Sequence, residues 1–136
     1  MGEEQIRDLI RDHHLTEAEA PADGNCMCHA FKGQLDIELS CMELRALVAA
    51  NAHHLGILGA GEQVMIDTKI EAEEGISAML AGEQIPHSAW GGGESACVLA
   101  HALGIQVLNY DESSEQIWPH NAEAAANGIV RLLHLN

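Results

Sequence analysis

Apolar residues recur every third or fourth position over most of the first hundred residues and crowd together only after Ile105, so helices come first and strands last. Glu3 and Glu4 precede Ile6, Leu9 and Ile10, and His13-His14 follow, which predicts a short amphipathic helix with favourable charges at each end. Thr16 to Gly24, with Pro21 and Asp23-Gly24, reads as loop. A helix is expected from Asn25 to about Gly33, opening directly after Gly24. Ser40-Cys41-Met42-Glu43 is a capping-box pattern, and Leu44, Leu47 and Val48 continue it toward His54, with glycines 56, 59 and 61 as terminators. Val64, Ile66, Ile70, Ile76, Met79 and Leu80 are interrupted by Gly75, which predicts one or two short helices, the second closed by Gly82.

Glu94 to Leu103 carries Val98, Leu99, Ala102 and Leu103 at helical spacing and ends at Gly104. Ile105 to Tyr110 then reads as a strand, Asp111 to Gln116 as a turn, Ile117-Trp118-Pro119 as a short edge strand and Ile129 to Leu135 as a strongly β-prone run. The expected class is α+β, a small β-sheet packed between helices in one domain spanning 1–136.

Composition narrows the partners. Six Lys+Arg against 21 Asp+Glu give a net charge of −15, so nucleic acid and anionic membranes, which need a basic patch, are not expected partners. The 47 % hydrophobic content argues for a folded core over disorder. No apolar run reaches the roughly 18 residues of a membrane helix, and the acidic start Met1-Gly2-Glu3-Glu4 is unlike a secretory signal. Cys26, Cys28, Cys41 and Cys97 are expected as reduced thiols, in a cytoplasmic chain or one delivered into a host cytosol.

The candidate chemistry lies at Asp23-Gly24-Asn25-Cys26. A glycine-containing turn delivers a cysteine to the first turn of a helix, where unpaired backbone N–H groups and the positive helix end favour the thiolate. The same N–H groups could hold an oxyanion on a carbonyl attacked by Cys26. The plainer reading makes Cys26 a small buried residue after a turn.

Ala22-Asp23-Gly24-Asn25-Cys26-Met27-Cys28-His29-Ala30-Phe31 resembles the nucleophile motif of the ovarian-tumour (OTU) family of cysteine proteases. Trp90-Gly91-Gly92, then Leu99-Ala100 and Leu103, then Ile105-Gln106-Val107, is similar to that family's Trp-Gly-Gly stretch, its following helix and next strand. Leu44-Arg45 with Val48 resembles its Leu-Arg helix. The resemblance implies a papain-like OTU fold acting as a deubiquitinase, a cofactor-free monomer that hydrolyses isopeptide or peptide bonds after the C-terminus of ubiquitin or a ubiquitin-like protein. It makes Cys26 the nucleophile and the loop from Asp23 to Cys26 the oxyanion site, with Asp23 holding the turn and acting through the loop's backbone.

In that family the histidine follows the last core strand, beside an aromatic residue. Ile129 to Asn136 resembles that strand but holds no His-aromatic pair, so the sequence is expected to end short of the motif. The identity of the general base stays open. His134 shares a strand face with Val130 and Leu132 and reads as a structural residue; His120, beside Pro119, reads as a surface loop residue; His29 reads as a packing residue. A catalytically inactive ubiquitin-binding module or a truncated copy is the alternative. The ubiquitin surface around its tail is basic, and a chain of this charge suits either version. Cys26, Cys28 and His29 with Cys41 or Cys97 could form a zinc site, but no second Cys-x-x-Cys or His-x-x-x-His pair accompanies them, and no metal is expected.

Overall fold

The structure is a computed structural model, and it describes residues 25–89, 93–111 and 116–134. The expected helix from Glu3 to His14, the loop from Thr16 to Gly24 including Asp23, and Trp90-Gly91-Gly92 lie outside the described residues. Among the described residues five α-helices precede the strands: α1 (Cys26–Gln34), α2 (Cys41–Asn51), α3 (His54–Ile57), α4 (Glu62–Ala81) and α5 (Gly93–Leu103). Then follow β1 (Gln106–Asp111), β2 (Gln116–His120), a 3-10 helix over Ala122–Asn127, and β3 (Ile129–His134). The protein is α+β, helices first and a small sheet last.

Local chemistry explains most boundaries. The Ser40 hydroxyl accepts from the Glu43 backbone N–H at 3.1 Å and starts α2 as the capping pattern predicts. Gly82 stops α4 at φ 69°, a left-handed turn that favours glycine, and the Glu83 N–H closes back onto the Ala78 carbonyl at 2.9 Å. Gly75 does not interrupt the helix. It is buried inside one continuous 20-residue helix, the single-helix alternative of the one or two expected but longer than expected, and that position accommodates a side chain crossing from α2.

The strand order is β2-β1-β3, with β1 antiparallel to β2 and parallel to β3. Residues 117–119 do form part of an edge strand. The register sets Val107 beside Val130 and Asn109 beside Leu132, and all four are buried. This face merges with Phe31 of α1, Leu44 and Val48 of α2, and Val98 and Leu99 of α5 into the main core. Among the described residues Phe31 is the largest fully buried side chain, and it sits in the core between helices and sheet. A smaller cluster of Ala78, Ile85 and Ala89, with Met79 against it, joins the C-terminal end of α4 to the 3-10 turn His87–Ala89. Among the described residues no helix is long and apolar enough to cross a membrane.

Candidate functional site

Cys26 is the first residue of α1, as the turn-then-helix pattern predicts, so its segment presents backbone N–H groups that have no intrahelical acceptor. Asn25 is the N-cap, yet its side chain makes no capping bond. Its Oδ1 accepts from Arg45 Nε at 2.9 Å, and its Nδ2 donates to Met79 Sδ at 3.8 Å. The amide therefore ties the start of α1 to α2 and α4.

Arg45 is a buried cation, only 6 % exposed. Besides Asn25 it donates from Nη1 to the Ala89 carbonyl at 2.7 Å, and Ala89 immediately precedes Trp90. The guanidinium passes directly over Gly75. A Cβ built there would stand 2.6 Å from Arg45 Cζ and 2.9 Å from Nε, closer than real Cβ atoms approach. Beneath Arg45 a narrow cleft between α1, α2, α4 and α5 is lined by Met27, Cys28, Glu71 and Ser95. The Glu71 carboxyl is raised above its usual range by burial and then by repulsion from Glu94, Asp67 and Glu74.

The far end of α1 fixes its direction. Gln34 Nε2 donates to the Arg131 carbonyl at 2.7 Å, and Gln34 Oε1 accepts from the Arg131 N–H at 2.7 Å. Leu35, just beyond α1 and in extended conformation, lies at Gly128. The parallel register sets Asp111 of β1 beside His134, and Gly93, the first residue of α5, lies close to Asn109 two residues earlier on β1.

The other sequence candidates fall elsewhere. Cys28 is buried and donates weakly to the Cys41 carbonyl at 3.9 Å. Cys97 is half-buried, and burial followed by Glu94 raises its thiol. Neither has the environment of an activated nucleophile. His120 is the last residue of β2 and half-buried, correcting the surface-loop expectation: strand pairing opposite Val107 holds it against the protein. Its Nε2 is buried without a hydrogen-bond partner, and burial, then His101, lowers its pKa while Glu94 opposes. His29 is half-buried on α1. Among the described residues no three His, Cys, Asp or Glu side chains gather as metal ligands.

Sequence reasoning passed over three features. Arg45 entered only through a motif resemblance, and a buried arginine in an apolar helical phase was the available signal. Asn109, 7 % exposed with Oδ1 unpartnered, is a polar residue in the buried phase of β1. The third, the pairing of Asp111 with His134, depends on a parallel register that no local pattern encodes.

No protein-family model matches this chain, and no curated protein or solved structure does either. The OTU resemblance thus rests on the motifs themselves.

Proposed function

We propose that this chain is an OTU-like thiol hydrolase that cleaves the isopeptide or peptide bond after the C-terminus of ubiquitin or a ubiquitin-like protein, with Cys26 as nucleophile. The observation that carries the reading is the place of Cys26 in the first turn of α1, where backbone N–H groups lack an intrahelical acceptor. The reading takes His134, in the strand β3 that resembles the one preceding the family's histidine, as the general base.

The chemistry follows from those roles. His134 takes the Cys26 proton, and the thiolate sulfur bonds to the substrate carbonyl carbon. The carbonyl oxygen becomes an oxyanion, which the resemblance assigns to the backbone N–H groups of the loop from Asp23 to Cys26. The C–N bond breaks as His134 returns the proton to the leaving amine, giving a thioester. Water, deprotonated by the same histidine, then releases the carboxylate and restores the thiol.

The test is intact mass after incubation with ubiquitin bearing a C-terminal electrophile. The wild-type chain is expected to gain one ubiquitin; Cys26→Ala is expected to gain none, and His134→Gln to react at least about a hundredfold more slowly. Saturable ubiquitin binding with no adduct would instead make the chain a binding module. An adduct in Cys26→Ala would overturn the nucleophile.

A further inference from the structure

Buried arginines in helical cores are costly unless their donors are used, and among the described residues Arg45 donates to two segments distant in sequence. One is Asn25, the residue before the proposed nucleophile. The other is the carbonyl of Ala89. Asn25 would ordinarily cap its own helix; here its Oδ1 accepts from Arg45 and makes no cap bond to α1. The helix that Arg45 must cross carries glycine at the crossing point, where any Cβ would collide with the guanidinium. α4 tolerates a residue that weakens helices in general because a side chain there would exclude the arginine.

We propose that Arg45 is a positioning residue, fixing the Asn25-Cys26 turn against the segment that ends at Ala89, and that Gly75 is glycine so that Arg45 can do so. The inference rests on the reading of Cys26 as the reactive thiol. Arg45 does not touch substrate; it acts through Asn25. It sets the place of the turn and brings a positive charge to the residue next to Cys26, and both favour the thiolate over the thiol. The other charged or titratable groups about this junction, among the described residues, are His29 one turn along α1, Glu71 across the cleft on α4, and Glu94 at the start of α5. The variants below leave all three in place.

The experiment measures alkylation of each cysteine by iodoacetamide, resolved by peptide mass, from pH 5 to pH 10 on the full chain. In the wild type Cys26 is expected to react with a pH midpoint below that of an ordinary thiol, near 8.5. Arg45→Met is expected to move the Cys26 midpoint up by about one unit and slow alkylation at neutral pH about tenfold. Arg45→Lys keeps the charge but cannot bridge both acceptors, so it should recover part of the loss. Gly75→Ala leaves Arg45 in the sequence yet displaces it, and should shift Cys26 in the same direction as Arg45→Met. The double variant should do no more than Arg45→Met alone, since Gly75 acts through Arg45.

Buried Cys28 serves as the internal measure of folding, because its protection should persist in every folded variant. If Arg45→Met exposes Cys28, Arg45→Lys and Gly75→Ala decide the outcome. A Cys26 profile that stays at the wild-type midpoint in variants that protect Cys28 would overturn the positioning role while leaving the thiol reading intact. A wild-type Cys26 that behaves as an ordinary thiol would overturn the reading on which it rests.

Discussion

The two ends of α1 are fastened in opposite ways. At its C-terminal end an exposed Gln34 amide pairs with both backbone groups of Arg131 on the free edge of β3, much as another strand would. At its N-terminal end a buried cation reaches Asn25 through the interior of the helical layer. The first device is short, neutral and open to water, and its work is to set the direction of the helix against the sheet. The second places a charge where a hydrophobic side chain would pack as well, which is costly for stability alone. A fold that needed only to hold α1 could have used the Gln34 device twice. On the proposed function, the contrast falls where position and charge would matter to chemistry.

The largest expected effect that would break this contrast is at Arg45. Arg45→Met leaves the Asn25 and Ala89 acceptors unmatched in a buried setting and should cost about 3 kcal/mol of stability, measured by urea denaturation. A loss comparable to that of Gln34→Ala would make the two ends equivalent. Gly75→Ala gains helix propensity but collides with the guanidinium, so it should destabilise by about 1 kcal/mol rather than stabilise as it would on an open helix. Gln34→Ala should also cost about 1 kcal/mol, with Cys26 alkylation unchanged, since that end sets direction and carries no charge to the thiol.

The smallest effect is at His120. Its folded pKa lies below 6.5, so the folded state binds fewer protons than the unfolded chain there, and stability is lost as pH falls from 6.5 through the lowered value. His120→Leu should flatten the dependence of Tm on pH over that window. A Tm profile of unchanged slope would remove burial as the cause.

Much of this architecture could be read locally. The Ser40 cap, the left-handed stop at Gly82, the end of α5 at Gly104 and the β-prone run from Ile129 all act within a few residues, and each falls within a residue or two of its expected place. Gly75 left the choice between one helix and two open for a physical reason. Glycine was weighed by its helix propensity, whereas its lack of a side chain serves a contact with a residue 30 positions earlier in the chain. The placement of Cys26 at a helix start was legible from the Asp23-Gly24 pair that precedes it in the sequence. The contact of the other end of that helix with β3 was not, because Gln34 and Arg131 are 97 residues apart. His120 was misjudged because Pro119 suggested a loop, while an edge strand tolerates proline.

The proposed mechanism requires that Cys26 and position 134 share one end of the molecule. It is tested most directly by cross-linking with a short bis-maleimide in two variants, His134→Cys and Ile129→Cys, with the linked peptides identified by mass. The account predicts a Cys26 cross-link to position 134 and none to position 129, at the opposite end of β3. Cross-linking to position 129 in preference to 134 would contradict the proposed site.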